Sequence, residues 1–148
     1  MTQRIYIDTS VLGGLFDIEF SDATKSFFDR VEKGELRIVY SEVTNEELAY
    51  APEQVRSYLN ALRANQKEFV EITQEAITLA DTYIREKVVG KTSRADCIHI
   101  ALATLHKVDI LVSWNFKHIV NINRIRGYNS VNLKLGHQPL EIRTPREI

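Results

Sequence analysis

Hydrophobic and polar positions follow two periodicities along the chain, and together they predict alternating strands and helices. Short runs rich in Ile, Val, Leu and Tyr predict strands at residues 5–7, 36–40, 69–72, 109–113 and 140–143. Apolar residues at helical spacing predict helices over 22–32, from Thr44, after Pro52, from Thr73, and from Ser93 to about residue 107. Between the fourth and fifth strands we expect irregular structure.

Strands separated by helices predict an α/β sandwich with a mostly parallel central sheet flanked by helices. The run DILVS at residues 109–113 supports this, because an unbroken apolar strand is typical of a sheet buried on both faces. No Pro-, Gly- or Ser-rich linker interrupts the pattern, so we expect a single domain over residues 1–148.

Composition narrows the class of protein. The chain has 148 residues, of which 44% are hydrophobic and 26% charged, as in an ordinary globular domain. No apolar run approaches the ~18 residues of a spanning helix, so we expect no membrane association. The single cysteine, Cys97, excludes an internal disulfide and favours a cytoplasmic location. It is expected to be buried rather than catalytic.

The net charge of −1 argues against a strong non-specific nucleic-acid binder. The charge is nevertheless unevenly distributed, because residues 104–148 carry seven Lys and Arg against three acidic residues. Such a basic excess is compatible with contacts to phosphates, and equally with a solvated surface.

Three acidic residues lie where a parallel α/β fold usually binds ligands, beyond the carboxyl ends of the strands. Asp8 follows the first predicted strand, and Glu47 and Asp96 lie in the first turns of predicted helices. Each also has a purely structural explanation. Asp8 could cap a following helix, while Glu47 with Thr44, and Asp96 with Ser93, match the capping-box pattern.

Taken as a set, the three acids predict a cation site. Carboxylate ligands without a His or Cys cluster favour Mg²⁺ or Mn²⁺ over Zn²⁺. Such a cation activates water and stabilises an in-line displacement at phosphorus. A phosphotransferase or phosphatase with Asp8 as nucleophile is an alternative. It is disfavoured because the second carboxylate expected two residues later is replaced by Ser10.

Four segments in order, IYIDTSVLGG, SEVTNEEL, SRADCIHIALA and DILVSWNFKHIVN, resemble the successive signatures of PIN-domain proteins. That family includes the VapC-type toxin ribonucleases of toxin–antitoxin pairs. The resemblance runs from Ile5 to about Asn121. It implies a PIN-like three-layer sandwich and a Mg²⁺- or Mn²⁺-dependent endoribonuclease that uses water as the nucleophile. For a toxin it further implies a cognate antitoxin and a homodimer.

The resemblance also implies roles for individual residues. Asp8, Glu47 and Asp96 match the family's metal-binding acids, and Asn115 occupies a fourth catalytic position that is often Asp. Because an amide offers only a neutral oxygen, we expect a second cation to bind less well there. This departure keeps open an alternative, a non-catalytic PIN module that binds RNA or protein.

Several further residues are candidates around this site. Ser10 and Ser113 are expected to form hydrogen bonds around the acids, and the candidate RNA contacts are Lys117, Arg124 and Arg126.

Two aromatic residues and a histidine lie close to the acids in the sequence. Trp114 and Phe116 flank position 115, where they could stack RNA bases, although core packing is the commoner role for an aromatic after a buried strand. His99 follows Asp96 by one helical turn, and we expect it to be half-buried against the sheet rather than to contact substrate.

Overall fold

The structure, a computed structural model, describes residues 2–148. Over these residues, five strands form one sheet with the order β3-β2-β1-β4-β5, and each of its pairings is parallel. The strands are β1 (Gln3–Ile7), β2 (Leu36–Ser41), β3 (Lys67–Val70), β4 (Ile110–Val112) and β5 (Ile142–Arg143). The predicted α/β fold with a parallel sheet is therefore confirmed. The strand order reverses between β1 and β4, at the centre of the sheet.

In the described part of the chain, seven α-helices cover the two faces of the sheet. They are α1 (Thr9–Gly14), α2 (Ser21–Glu32), α3 (Glu42–Leu48), α4 (Glu53–Ala61), α5 (Gln74–Arg85), α6 (Arg94–Leu105) and α7 (Ile122–Lys134). Between residues 2 and 148, none of the helices has both the length and the apolar character that crossing a membrane requires.

Side chains alternate across β1, and this alternation divides the core into two parts. Ile5 and Ile7 face the layer formed mainly by α1, α2 and α4, whereas Tyr6 faces the layer formed by α5, α6 and α7. All three residues are fully buried. The sheet is thus the middle layer of a three-layer sandwich.

The register of the central strands aligns the residues that follow them. Ile7 of β1 pairs with Val112 of β4, and the backbone N–H of Asp8 donates to the Val112 carbonyl. Asp8 and Ser113 therefore follow their strands side by side, at the carboxyl-terminal end of the sheet, where α/β folds form a ligand crevice.

The expectation of irregular structure before the last strand was wrong, because α7 spans 13 residues there. Gly127 and the asparagines of α7 have low helix propensity, so the sequence gives only a weak helix signal. Tertiary contacts stabilise α7 instead: the buried Asn132 accepts from the Tyr83 hydroxyl and donates to Thr104 Oγ1. At its start, the Asn121 side chain accepts from the Arg124 backbone.

Candidate active site

Asp8 lies in the crevice where the strand order reverses, and its side chain is only 4% exposed. Its Oδ1 accepts a hydrogen bond from Ser10 Oγ at 2.6 Å, and its Oδ2 accepts one from Ser113 Oγ at 2.7 Å. Asp8 occupies the N-cap position of α1, but its side chain makes no capping hydrogen bond. The capping explanation for Asp8 is therefore wrong.

The capping box predicted for Glu47 is also absent, because α3 begins at Glu42 rather than at Thr44. Ser41 is the N-cap: its hydroxyl accepts from the Val43 backbone, and the Thr44 hydroxyl accepts from the Ser41 backbone. The Thr44 hydroxyl therefore belongs to the capping box of α3. The Glu47 carboxylate takes no part in that capping box and can bind other groups.

Glu47 instead connects α3 to two other elements. Its Oε1 accepts from Thr9 Oγ1 of α1 at 2.8 Å and from His99 Nε2 of α6 at 2.7 Å. No donor among the described residues reaches Oε2. The carboxylate is therefore fixed through one oxygen, and the other remains available.

Asp96 does not form a capping box with Ser93 either. The Ser93 side chain makes no capping bond at the start of α6, and its backbone N–H donates to the Gly90 carbonyl. Asp96 Oδ2 accepts from Asn115 Nδ2 at 3.3 Å. The acid of α6 therefore faces the segment that follows β4.

A short hydrogen-bonded path joins these positions. Ser113 Oγ, which donates to Asp8, also accepts from the Asn115 backbone at 2.9 Å, and the Asn115 side chain reaches Asp96. The four predicted site residues Asp8, Glu47, Asp96 and Asn115 thus come from four separate segments and converge on one end of the sheet.

The electrostatics of the three acids differ. Burial raises the pKa of Asp8 and of Asp96, and in each case interaction with His99 opposes part of the rise. Burial also acts to raise the pKa of Glu47, but the hydrogen bond from His99, the electrostatic interaction with its ring and the hydrogen bond from Thr9 outweigh this effect, so the pKa of Glu47 is lowered. The charge of Asp8 also raises the pKa of Asp96, and the charge of Glu47 raises the pKa of Asp8, as expected for carboxylates that repel across a site.

Comparison of the chain with known protein families shows which family it belongs to. The model of the PIN domain matches residues 5–117, which contain all four converging positions. The chain belongs to the PIN domain family. PIN domains are nucleases as a family, and this supports a hydrolase function for the chain. Comparison with curated proteins gives no sequence match.

Solved structures share the fold of this PIN domain over nearly its full length. VapBC2 from Rickettsia felis bound to a promoter DNA fragment is 15% identical, with a TM-score of 0.61 and coverage of 96% of this chain and 98% of that one. DNA-bound VapBC from Salmonella typhimurium is 15% identical, with a TM-score of 0.58 and coverage of 98% and 99%. FitAcB from Neisseria gonorrhoeae is 13% identical, with a TM-score of 0.59 and coverage of 97% and 99%. At sequence identities this low, the structural similarity establishes a shared fold and nothing more specific.

The PIN domain site offers oxygen donors suited to a hydrated cation. Within residues 2–148, no three His, Cys, Asp or Glu side chains form a compact cluster able to enclose a metal ion. The available donors are the carboxylates of Asp8 and Asp96, the amide of Asn115 and the second oxygen of Glu47. Mg²⁺ commonly uses only one or two carboxylates and keeps several waters, so this donor set fits such an ion.

The sequence pointed to hydroxyl groups around the acids but not to the partners of Glu47. Ser10 and Ser113 both donate hydrogen bonds to Asp8. His99 is 1% exposed rather than half-buried, so it is shielded from substrate. Thr9 was not singled out, although a hydroxyl directly after a strand-ending acid is a signal that could have found it.

The aromatic residues beside Asn115 have different environments. Trp114 is buried, stacks on Phe20 with ring centroids 4.3 Å apart, and donates from Nε1 to Thr24 Oγ1 at 3.0 Å. Phe116 is 48% exposed. Core packing thus accounts for Trp114, and Phe116 alone of the pair presents a ring to solvent.

The candidate RNA contacts of this PIN domain are also unequal. Lys117 and Arg126 are exposed. The Arg124 guanidinium is partly buried and donates to the backbone carbonyls of Val88 and Lys117. Arg124 therefore connects two loops, and two of its five N–H donors are already used within the chain.

Proposed function

We propose that the protein is a divalent-metal-dependent endoribonuclease that hydrolyses phosphodiester bonds in RNA. The observation that carries the proposal is the buried Asp8, linked through Ser113 and Asn115 to Asp96 at the reversal of strand order. Two carboxylates whose pKa values are both raised by burial gain from a cation that neutralises them. Family membership supplies the nuclease chemistry.

Mg²⁺ or Mn²⁺, when bound, would lower the pKa of a water molecule and stabilise the charge that develops on the phosphate. Asp8 and Asp96 are the residues that would hold the cation. The free oxygen of Glu47 can contribute to the cation or accept a proton from the attacking water. The Asn115 amide can orient that water or a phosphate oxygen. Attack on phosphorus with cleavage of the P–O3′ bond gives a 3′-hydroxyl and a 5′-phosphate.

Surface features next to the site favour an unstacked RNA strand as substrate. The exposed ring of Phe116 follows Asn115 directly, and the exposed Lys117 comes next. Aromatic rings that stack bases, combined with cations that contact phosphates, are the usual means of binding single strands. The exposed Arg126 adds a further positive charge on α7.

A toxin role is the specific biological proposal. It is supported by the fold shared with the Rickettsia felis and Salmonella typhimurium VapBC complexes. On this proposal the chain is inhibited by a cognate antitoxin, acts in the cytoplasm and forms a homodimer. Induced expression should then arrest growth, and coexpression of a small protein encoded next to it should restore growth.

Cleavage of labelled single-stranded RNA tests the enzymatic proposal. The purified chain should cut RNA with Mg²⁺ or Mn²⁺ and lose that activity in EDTA. Asp8→Asn and Asp96→Asn should each abolish cleavage, while Asp22→Asn should not, because Asp22 is an exposed acid in the first turn of another helix. Equal cleavage by all four proteins would overturn the proposal.

A non-catalytic PIN module that binds RNA or protein remains the second candidate. The observation in its favour is Asn115, a neutral amide at a position that is often Asp in the family. Such a module would bind RNA equally well in EDTA and in Mg²⁺, and it would leave the RNA intact. The cleavage experiment, run beside an RNA-binding titration under both conditions, separates the two.

A further inference from the structure

His99 is buried beneath the candidate site and makes hydrogen bonds through both ring nitrogens. It lies on α6 one turn after Asp96, and its side chain is 1% exposed. Nε2 lies 2.7 Å from Glu47 Oε1, and Nδ1 lies 2.7 Å from the Tyr6 hydroxyl. A buried ring with both nitrogens paired is held in a single orientation.

The Tyr6 hydroxyl extends this contact to the start of the helix that carries Glu47. It lies 2.8 Å from Ser41 Oγ, and that same oxygen accepts from the Val43 backbone as the cap of α3. The chain of hydrogen bonds therefore runs from the N-terminus of α3, through β1 and α6, back to Glu47 on α3. Helix and carboxylate are positioned by one connected group.

Both donors to Glu47 act on the same oxygen. Thr9 and His99 each bind Oε1, so Oε2 keeps its lone pairs for another partner. The Glu47 side chain is 38% exposed and flexible by nature, so without these donors it would sample several rotamers. Two donors on one oxygen select a single carboxylate orientation.

We propose that His99 is a positioning residue, which with Tyr6 holds the Glu47 carboxylate so that its second oxygen is fixed for the reaction. The catalytic consequence rests on the proposed nuclease function, whereas the hydrogen bond itself does not. A ring that merely filled space would require neither contact, and an apolar residue there would leave the Tyr6 hydroxyl unpaired on that side.

Two amide substitutions separate positioning from packing. In His99→Gln the side-chain nitrogen reaches the place of Nε2 and can still donate to Glu47. In His99→Asn the shorter amide reaches only the place of Nδ1, near Tyr6. Both variants lose the ring and remain polar, but Asn is smaller than Gln by one CH₂ group, so a packing role predicts that the effect of His99→Asn persists when the Glu47 side chain is removed.

Steady-state cleavage of RNA by these variants gives the first readout. We expect His99→Asn to lower kcat by about 10–100-fold with little change in KM, as is common when a residue supporting a cation ligand is removed. His99→Gln should retain most of the wild-type kcat. In a Glu47→Ala background, where the acceptor oxygen is absent, His99→Asn should cause no further loss, because its effect acts through Glu47. Equal losses in the two amide variants, or an additional loss in that background, would overturn the positioning role.

An NMR measurement tests the contact without relying on activity. The Nε2–H proton of His99 should give a resolved signal that shifts strongly in Glu47→Gln. It should stay unchanged in Glu46→Gln, where the neighbouring exposed acid is altered. Tyr6→Phe, which keeps the ring and removes the hydroxyl, serves as a further variant if both His99 substitutions fail to fold. It should lower kcat and shift the same signal.

These readouts separate the two proposals. A wild-type chain that cuts no RNA would defeat the nuclease proposal, and the NMR shift in Glu47→Gln would still establish the contact. A His99 signal that is unaffected by Glu47→Gln would overturn the positioning role whatever the activity.

Discussion

Asp8→Asn should abolish activity and at the same time make the metal-free protein more stable. The wild-type carboxylate is 4% exposed, and burial raises its pKa. An amide of the same shape can accept from one neighbouring serine and donate to the other, so the two hydrogen bonds are kept in number. The substitution therefore removes mainly the buried charge and its repulsion with Asp96.

The sign of the pH dependence follows from the raised pKa of Asp8. The folded protein holds this proton more tightly than the unfolded chain, in which the pKa is about 3.9. The stability contributed by the protonated group is fully present below that value and is lost as pH rises through the folded pKa. The stabilising effect of Asp8→Asn should thus be largest at pH 8 and should disappear near pH 4.

The magnitude follows from similar stabilising substitutions in other proteins. Removing one unfavourable feature commonly stabilises a protein by about 0.5–2 kcal/mol, so we expect Asp8→Asn to increase the free energy of unfolding by about 1–2 kcal/mol at pH 8. For a chain of this length that is roughly 3–8 °C in Tm. Mn²⁺ should reverse the order, because a ligand at 100 times its Kd stabilises only the protein that binds it, by about 2.7 kcal/mol.

Urea unfolding of both proteins in EDTA at pH 8 and pH 4, repeated with Mn²⁺ at pH 8, checks this reasoning. Glu46→Gln is the control, since an exposed acid should change stability by less than ~0.5 kcal/mol. A variant less stable than wild type at pH 8 in EDTA would show that the buried charge of Asp8 does not strain the fold.

Three further substitutions test the surroundings of the site. Ser113→Ala removes a donor to Asp8 and should destabilise the fold by about 1–3 kcal/mol in urea unfolding, with roughly tenfold lower kcat. Gly14→Ala would place a methyl group 2.7 Å from Trp114 Nε1, so we expect the free energy of unfolding to fall by about 1–3 kcal/mol and the tryptophan fluorescence to change. An unchanged urea midpoint would contradict this close packing. Phe116→Ala should raise KM for RNA by the equivalent of about 1–3 kcal/mol while Phe116→Tyr preserves it; equal KM values would exclude base stacking there.

The sequence predicted the sheet well because strand patterning is local and unambiguous. The apolar runs of β1, β2 and β4 lie within a residue or two of their predicted places, whereas β3 lies about two residues earlier than expected. The helix α7 was missed because Gly127 and several asparagines weaken its local signal. Its stability comes from contacts with α5 and α6, which local pattern does not reveal.

The candidate site shows the same division between local and tertiary information. The positions of the acids follow from strand ends and motif order, but the apparent capping boxes at Thr44 and Ser93 did not form. In the first case Ser41, the last residue of β2, caps the helix that Thr44 was expected to begin. The partnership of His99 with Glu47 spans 52 residues and requires the fold to bring α3 and α6 together.

The central claim is that Asp8 and Asp96 bind a divalent cation where the strand order reverses. Titration of the purified protein with Mn²⁺, followed by EPR of the free ion, tests it most directly. The account predicts saturable binding by the wild type, weakened at least about tenfold in Asp8→Asn and in Asp96→Asn and unchanged in Asp22→Asn. Binding of equal strength in all four proteins, or none in the wild type, would contradict it.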